Sequence, residues 1–423
     1  MELIERIESD VASGVLGAGE RLPSIRELAE SLSLAPNTVA TAYRRLADRG
    51  VVVSRGSAGT HVLERPPIGV QQLPIVPPGT TDLASGTPDP RLLPDLDSFV
   101  RHPGPSTSYI DPPLLPELAE AGSEWLGAQG VAVRRLTVTS GALDAIERIL
   151  ASRLRPGDAV AVERPGWSAV TDLVASLGLR SVGVAIDEAG MIPVVLAERL
   201  SGVEAVILTP RAQNPLGAAI DERRRQDLSE VLAERPEVLV IEDDHAGPIA
   251  GTPLYPLHEG RSRWAFVQSV AKALGPDLRL AFVTGDDLTL DRVSGRFGIG
   301  PGWVSRILQR AVASMVTDPE VKATLVRAAE TYAIRREALV DALRLAGFSG
   351  ATGRSGLNVW VPVAAEEAAV AGAARAGYGI RGGSEFDGGV PTVRITVSNL
   401  DLDAIPSLVR SLSSHGESGR RLV

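Results

Sequence analysis

The chain has 423 residues but contains lysine at only two positions, and one of them stands in a setting that suits covalent chemistry. Lys272 lies between the apolar segments WAFVQSV and RLAFVTG, whereas Lys322 lies in the polar segment DPEVKATLVR. An amine whose pKa is lowered by its surroundings can form a Schiff base with an aldehyde. Arg279, seven residues further on, could bind a phosphate through two parallel hydrogen bonds. We therefore single out Lys272 as a candidate nucleophile, while a plain surface position is the alternative for any single lysine.

Three adjacent acidic residues form a second candidate group. The apolar segment VLVIED ends at Asp243, with Glu242 before it and Asp244 after it. Open α/β sheets bind ligands at the carboxyl ends of their strands, and a carboxylate placed there could keep a pyridine nitrogen protonated. A helix cap or an ion pair would explain the same residues. The sequence alone does not decide which of Asp243 and Asp244 points inward.

Two turns could complete such a site. The run Thr139-Ser140-Gly141-Ala142 follows the short strand LTV and opens the helix LDAIERIL, so its free backbone N–H groups could bind a phosphate. Asn214 follows the strand AVILT, and its amide could form a hydrogen bond with a hydroxyl on a ring. Each turn is common in α/β proteins, so neither identifies a ligand by itself.

These residues require a sheet that brings the ends of several strands together. The apolar runs AVAVE (159–163), AVILT (205–209) and VLVIED (238–243) alternate with helical segments, which predicts an α/β domain with a parallel sheet covered on both faces. After about residue 310 a long helical region leads to the short strands LNVWVPV and TVRITVS. We interpret this last part, about 310–415, as a smaller lobe of a body that spans 83–415.

The candidate residues, in this order, resemble the fold-type-I family of enzymes that depend on pyridoxal phosphate (PLP), the aspartate aminotransferase fold, over about residues 83–412. The resemblance implies PLP as the cofactor and Lys272 as the lysine of the internal aldimine. It implies five residues that hold the phosphate, namely Ser140, Gly141, Ala142, Ser269 and Arg279. It implies that Asn214 binds the ring O3′ and that Asp243 binds the ring nitrogen.

The same resemblance implies four further roles. Trp167, in VERPGW, would stack on the ring, and Tyr109, in YIDPPLLPEL, would reach the phosphate of a neighbouring subunit. Arg394, in VRITVS, would bind the carboxylate of a substrate or effector. His245 stands where related proteins usually have a tyrosine, and its imidazole could donate to O3′. The stretch around Tyr109 lacks the glycine that usually follows the proline.

Residues 1–63 predict a small domain of three helices and a hairpin. Ser24 and Glu27 fit a capping box at the start of the second helix, which we expect to bury Ile25, Leu28, Ala29 and Leu32. The third helix begins at Pro36 and would bury Val39, Ala42, Tyr43 and Leu46. Residues 21–61 contain six arginines and three acidic residues, a local charge of +3 in a chain whose net charge is −9. A basic face on an acidic protein is compatible with a DNA-binding module.

This segment resembles the GntR family of bacterial regulators through LPS-x-R-x-LA, NTV-x-x-AY-x-x-L and the glycine-containing wing. The resemblance implies a winged helix-turn-helix whose third helix enters the major groove of DNA. The candidate DNA contacts are Arg26, Asn37, Thr38, Thr41, Arg44, Arg45 and Gly59. Pro36 stands where many members carry an arginine that reads a base.

Composition excludes several other classes of protein. The chain has no cysteine, so disulfides and thiolate catalysis are excluded, and its five histidines are too scattered for a zinc site, so no metal is expected. No stretch of 18 apolar residues predicts a membrane span, and the N-terminus does not resemble a signal peptide. Residues 64–82, with five prolines, predict a semi-rigid linker between the two domains.

A GntR-like head, a proline-rich linker and an aminotransferase-like body together resemble the MocR subfamily. The resemblance implies a cytoplasmic, homodimeric transcriptional regulator that binds operator DNA and senses an amino-acid-like effector, or PLP itself, through an aldimine at Lys272. One alternative is an active PLP-dependent aminotransferase with an appended DNA-binding domain. Another is a DNA-binding protein whose body binds no cofactor. The effector, the operator and the direction of regulation stay open at this point.

Overall fold

The computed structural model describes residues 2–12, 15–17, 19–48, 51–54, 59–62, 76, 79–100, 105 and 108–413. Most of the predicted linker, 64–82, and residues 55–58 of the predicted wing lie outside these residues. The α-helices are α1 (Glu2–Ala12), α2 (Ile25–Ser31), α3 (Pro36–Asp48), α4 (Asp97–Val100), α5 (Pro116–Gly127), α6 (Ala142–Arg153), α7 (Ser168–Ser176), α8 (Pro193–Arg199), α9 (Glu222–Ala233), α10 (Ala271–Leu274), α11 (Asp287–Gly298), α12 (Arg306–Thr317), α13 (Pro319–Leu345), α14 (Glu366–Arg375) and α15 (Ile405–Ser413).

The strands found among the described residues belong to four sheets, of which one dominates the body. They are β1 (Val52–Ser54), β2 (Thr60–Val62), β3 (Thr81–Asp82), β4 (Thr137–Thr139), β5 (Ala159–Arg164), β6 (Arg180–Asp187), β7 (Gly190–Met191), β8 (Val203–Leu208), β9 (Leu239–Asp244), β10 (Trp264–Ser269), β11 (Ala281–Gly285), β12 (Asn358–Pro362), β13 (Tyr378–Gly379), β14 (Arg381–Gly382) and β15 (Thr392–Thr396).

The head folds as the local patterns predict, with one correction. The Ser24 hydroxyl accepts a hydrogen bond from Glu27 N while the Glu27 carboxylate accepts one from Ser24 N, so the predicted capping box is present. All four predicted apolar residues of α3 are buried, and β1 pairs with β2 in an antiparallel hairpin. The prediction for α2 was wrong at its two ends, because Ile25 is 38% and Leu32 47% exposed. A helix of two turns covers so little of α3 that the residues at its ends stay open to solvent.

The main sheet has the strand order β4-β11-β10-β9-β8-β5-β6-β7. Strands β10, β9, β8, β5 and β6 run parallel, as predicted. The sheet as a whole is mixed, because β11 runs antiparallel to β10 and β4, and β7 runs antiparallel to β6. Along β5, Val160 and Val162 pack into one apolar cluster while Ala159 and Ala161 pack into another. The sheet is therefore covered on both faces, since successive side chains of a strand point to opposite sides.

The smaller lobe contains the sheet β12-β15-β14 and the strand pair β13-β3. Its core begins on α13 at Leu339, whereas Tyr332 and the preceding buried residues of α13 belong to the core of the large lobe. The boundary predicted near residue 310 therefore moves to the middle of α13. Thr81 and Asp82, at the end of the predicted linker, form β3 and pair with β13, so the body begins before residue 83. No helix among the described residues is both long and apolar enough to cross a membrane.

Candidate functional site

A cavity of about 280 Å³ lies at the carboxyl ends of the parallel strands. Four neighbouring strands supply residues to its wall, with Glu163 from β5, Thr209 just after β8, Asp243 from β9 and Ser269 from β10. This is the edge at which an open α/β sheet binds its ligand. Eight of the residues predicted for a cofactor line the cavity, namely Ala142, Trp167, Asn214, Asp243, His245, Ser269, Lys272 and Arg279.

Lys272 stands in the first turn of the short helix α10 and points its amine into the cavity. Its Nζ donates a hydrogen bond to the carbonyl oxygen of Gly86 at 2.8 Å. Burial, assisted by the positive charge of Arg394, lowers the pKa of Lys272 to about 8, while the carboxylate of Asp243 opposes the shift. The amine therefore loses its proton far more easily than an ordinary lysine, as a nucleophile at neutral pH must.

Each of the three adjacent acidic residues has a different environment. Glu242 binds His258 Nδ1 at 2.7 Å, away from the cavity. Asp244 is fully buried and forms an ion pair with Arg211 at 2.8 Å. Asp243 lines the cavity, and its Oδ1 is buried without a hydrogen-bond partner among the described residues. Of the three, Asp243 is thus the carboxylate that faces the cavity.

The charges of this acidic pair are set by burial and by their partners. Burial would raise the pKa of Asp244, but the Arg211 guanidinium and a hydrogen bond from Gln268 at 2.7 Å hold it below its ordinary value. Burial, and then the negative charge of Asp244, raises the pKa of Asp243 to about 7. An unpaired carboxylate that titrates near neutrality is suited to exchange a proton with a ring nitrogen.

His245 and Glu163 complete the polar wall. Burial and the nearby charge of Lys272 lower the pKa of His245 to about 3, so its imidazole is neutral at physiological pH. Glu163 accepts a hydrogen bond from Thr209 N at 3.1 Å, and burial raises its pKa to about 7. Sequence reasoning missed Glu163, although its position at the end of the strand AVAVE was the same signal that marked Asp243.

The phosphate end of the predicted site is formed by the turn before α6. Gly141 has φ +106°, and a Cβ at this position would overlap the guanidinium of Arg279. The Arg279 side chain is exposed and lies directly against the backbone of the turn. An anion bound there could contact both the guanidinium and the backbone N–H groups of the turn. Ser140 does not line the cavity, and its backbone N–H donates to Asp144 Oδ2 at 2.8 Å. Its contribution to a phosphate site stays a prediction.

Arg394 lies beside the cavity but not on its wall. The side chain is 2% exposed, donates to Asn214 Oδ1 at 3.0 Å and to the carbonyl oxygen of Ala84, and stacks 4.9 Å from the ring centre of Phe386. Burial, and then the charge of Arg381, lowers the pKa of Arg394 to about 9. The guanidinium that is predicted to bind the carboxylate of a substrate or effector therefore already donates hydrogen bonds to groups of this chain.

Tyr109 does not reach the cavity of its own chain. Its side chain is 90% exposed and meets the ring of Trp303 edge-on, with the ring centres 5.4 Å apart. The predicted contact with a neighbouring subunit therefore remains a prediction. Among the described residues, no group of three or more histidine or acidic side chains is placed to hold a metal ion.

Six of the seven predicted DNA contacts of the head are exposed. The exposed side chains are Arg26, Asn37, Thr38, Thr41, Arg44 and Arg45. On the opposite side of α3 the Tyr43 hydroxyl donates to Pro23 O at 2.8 Å, which ties α3 to the turn before α2. Gly59 has φ +93°, and a Cβ there would lie 2.9 Å from Arg21 Nε, so the wing requires glycine at this position.

Comparison with known proteins assigns the head and the body of the chain to two different families. Residues 81–412 match the family described as aminotransferase class I and II, and residues 1–62 match the bacterial regulatory proteins of the gntR family. The chain is 38% identical over 418 residues to the vitamin B6 salvage pathway transcriptional repressor PtsJ of Salmonella typhimurium, a match that covers 97% of each protein. It is 28% identical over 389 residues to the probable rhizopine catabolism regulatory protein MocR of Rhizobium meliloti, covering 81% of this chain and 76% of that one.

The fold of the body is that of solved aminotransferases. An archaeal alanine:glyoxylate aminotransferase matches with a TM-score of 0.71 at 23% identity, over 79% of this chain and 91% of that one. Together with the match over almost the whole length of PtsJ, this agrees with the architecture predicted from the sequence. The chain therefore belongs to the MocR-type transcriptional regulators of the GntR family, in which a winged helix-turn-helix precedes a fold-type-I aminotransferase domain.

Proposed function

We propose that the body of this regulator binds PLP at Lys272 and that the bound state of the cavity controls the affinity of the head for operator DNA. The observation that carries the proposal is the unpartnered, buried Oδ1 of Asp243 in the same cavity as the easily deprotonated Lys272. A buried polar atom without a partner calls for an explanation, and Asp243 Oδ1 has one in a ligand because this residue lines a cavity. The residues present thus fit a ring that carries a basic nitrogen and an aldehyde.

PLP supplies an aldehyde that condenses with a primary amine and a pyridine ring that withdraws electrons from the atoms attached to it. The residues of the chain hold and tune such a group. Asp243 would keep the ring nitrogen protonated, and Trp167 would cover one face of the ring. Arg279 and the turn at Gly141 would neutralise the phosphate. Asn214, whose Nδ2 remains a donor while Oδ1 accepts from Arg394, would bind the ring hydroxyl.

His245 adds a neutral neighbour to the same ring edge. Because its pKa is about 3, the imidazole adds no positive charge beside Lys272, and its one N–H is engaged by the backbone of Ala212. A protonated histidine would lower the pKa of Lys272 further and would compete for Asp243. Histidine at this position therefore keeps the site free of a further positive charge.

We propose PLP itself as the first ligand that the protein senses. The relative PtsJ carries the name of a repressor of the vitamin B6 salvage pathway, and the similarity extends along nearly the whole chain. In this structure both terminal nitrogens of Arg394 donate to groups of the chain itself. PLP, which has no carboxylate, can therefore occupy the cavity without displacing these contacts. An amine with a carboxylate is a second ligand, which would need Arg394.

We further propose a cytoplasmic homodimer bound to an operator with two half-sites. Tyr109 and Ile110 are 90% and 92% exposed, and large apolar side chains in such a position are typical of an interface between subunits. In this dimer Tyr109 would reach the phosphate in the partner's cavity. Light scattering at micromolar protein concentration that shows a monomer alone would contradict the dimer.

One experiment separates sensing from catalysis. The full-length protein is titrated with PLP while near-visible absorbance and the anisotropy of labelled operator DNA are recorded in the same sample. Borohydride reduction and peptide mapping then locate the attached cofactor. We expect the reduced cofactor on Lys272 in the wild type, no attached cofactor in Lys272→Ala, and normal attachment in the matched control Lys322→Ala. We expect operator affinity to change only where PLP is attached.

The same holoprotein is then mixed with an amino acid and 2-oxoglutarate. Rapid multiple turnover without any effect on operator binding would favour an aminotransferase that happens to carry a DNA-binding domain. A protein that takes up no PLP at all would overturn the proposal.

A further inference from the structure

A segment that we call the strap, residues 82–89, lies over the cavity. Four of its residues, Ser85, Gly86, Thr87 and Pro88, line the wall. In the chain the strap follows β2 of the head after residues 63–81 alone. It is therefore the part of the cavity wall that is nearest to the head along the chain.

The start of the strap is fixed to the smaller lobe. Leu83 N donates to Gly379 O at 2.9 Å, and Leu83 O accepts from Thr396 N at 2.9 Å. The carbonyl oxygen of Asp82 accepts from Asn399 Nδ2 at 3.2 Å. Leu83 itself is fully buried in the core of that lobe. This end moves only if the lobe moves.

The far end of the strap is fixed to α13. Asp89 is 1% exposed, pairs with Arg335 at 3.2 Å and with Arg91 at 2.9 Å, and its backbone N–H donates to the Tyr332 hydroxyl at 3.0 Å. Between the two anchors only the middle of the strap is free to change its contacts.

The middle of the strap holds the two cations that a ligand would use. The carbonyl oxygen of Gly86 accepts from Lys272 Nζ at 2.8 Å, and that of Ala84 accepts from Arg394. The backbone bends to present both carbonyls, because Asp82 Oδ1 accepts from Ala84 N and Ser85 N at 2.9 Å each and Gly86 has φ +71°. The strap thus gives each cation one neutral backbone acceptor, while Arg394 Nε is buried without a partner among the described residues.

Each contact is lost when its cation takes a ligand. When an aldehyde condenses with Lys272, a carbon–nitrogen double bond forms, the ammonium has lost one proton, and two hydrogens leave with the aldehyde oxygen as water. Gly86 O then loses the ammonium that donated to it. A carboxylate that pairs with Arg394 likewise competes with Ala84 O, and a charged acceptor binds a guanidinium more strongly than a carbonyl does. A buried carbonyl without a donor is unfavourable, so the strap must rearrange.

We propose that the strap reports the state of the cavity to the head through the smaller lobe, to which its first residues are fixed. PLP at Lys272 releases the contact at Gly86. A primary amine that carries a carboxylate takes the aldehyde from Lys272, so its own carbon–nitrogen double bond forms as that of Lys272 breaks; the freed Nζ can donate to Gly86 O again, and the carboxylate releases the contact at Ala84 instead. A ligand shifts such an equilibrium only through its different affinity for the two arrangements, and here the difference is the loss of a named hydrogen bond. The inference rests on the proposed function for its ligands, but the strap contacts themselves do not need a cofactor.

The test is hydrogen–deuterium exchange of the full-length protein, read in peptides that cover 83–90. We expect PLP to speed exchange of the Ala84 and Ser85 amides by at least about threefold, and glycine added to the holoprotein to keep it fast through the released contact at Ala84. Methylamine, which frees Lys272 in the same way but lacks the carboxylate, is the matched ligand and is expected to return exchange toward that of the apoprotein. Peptides from α9, which lines no part of the cavity, serve as the internal control.

A cofactor-free comparison keeps this inference separate from the proposed function. Lys272→Met removes the Nζ donor at nearly constant volume, so the variant without PLP is expected to show the fast exchange that wild type shows only with PLP. Lys322→Met is the control and is expected to match wild type. Equal exchange of 83–90 in Lys272→Met and wild type would overturn the strap even if PLP binds at Lys272.

Two further results bear on the link to the head. Exchange that is slow in the apoprotein and in the holoprotein with methylamine, but fast with PLP alone and with PLP and glycine, supports the inference when operator affinity follows the same pattern. Faster exchange of the strap with unchanged operator affinity would refute the proposal that the strap transmits the state of the cavity to the head. If Lys272→Met does not fold, the comparison of wild type with and without PLP decides, because unchanged exchange there is sufficient to refute the strap.

Discussion

The lowered pKa of Lys272 leads to a quantitative prediction that needs no cofactor. An ordinary lysine has a pKa of 10.5, whereas burial and the charge of Arg394 bring that of Lys272 to about 8. At pH 7 the neutral fraction of an amine falls tenfold for each pH unit below its pKa, so Lys272 should carry about 300 times more free amine than an ordinary lysine. Only the free amine reacts with an acylating reagent.

The assay is competitive labelling with trace acetic anhydride, followed by quantitative peptide mapping. The chain is well suited to it because every labelled side-chain amine maps to either Lys272 or Lys322. We expect the labelling rate of Lys272 to rise about tenfold per pH unit at low pH and to level off near pH 8. Restricted access to the cavity lowers the rate at every pH but does not move the midpoint.

A matched variant tests the cause of the shift. The carboxylate of Asp243 raises the pKa of Lys272, so Asp243→Asn is expected to move the midpoint to lower pH. A midpoint for Lys272 above about pH 10 in wild type would show that the amine is solvated, and the reasoning from burial would be wrong. A midpoint that moves upward in Asp243→Asn would show that the two groups do not interact as the structure implies.

Three other predictions concern the phosphate end, the acidic pair and the head. Gly141→Ala should weaken PLP binding by at least about tenfold in equilibrium dialysis, because the added Cβ displaces the guanidinium of Arg279. Gly157→Ala is the control: with φ +97° and open space around it, this variant should lose stability but keep its affinity for PLP. Arg211→Leu should lower the free energy of unfolding by about 3–5 kcal/mol in urea, because it leaves Asp244 charged and buried, and adding Asp244→Asn should recover part of the loss. Arg44→Ala should weaken operator binding and reduce the slope of log affinity against log salt by about 1, and an unchanged slope would place Arg44 away from the phosphates.

Features that depend on neighbours in the chain could be predicted from the sequence. The capping box at Ser24 and the buried stripe of α3 were predicted correctly, because residues three or four apart share a helix face whatever the rest of the molecule does. Lys272 and Arg279, which lie in one segment of the sequence, line one cavity, and their roles toward a cofactor stay predictions.

The ends of α2 and the boundaries of the smaller lobe could not be predicted in the same way. Ile25 and Leu32 follow the helical period but stay exposed, because the surface that would cover them is not part of the local pattern. The helix α13 continues without interruption from one core into the next, so no signal in the sequence marks the boundary within it.

The sequence by itself determined the two-domain architecture, the family and the lysine at the centre of the site. Tertiary structure alone decided which carboxylate faces that lysine and what covers Arg394. Asp243 and Asp244 point to opposite sides of one strand, and the choice between them depends on Arg211, which lies 33 positions away. Arg394 is held by a carbonyl 310 positions away. Contacts over such distances arise from the packing of lobes and not from any local period, so they become visible only when the chain is folded.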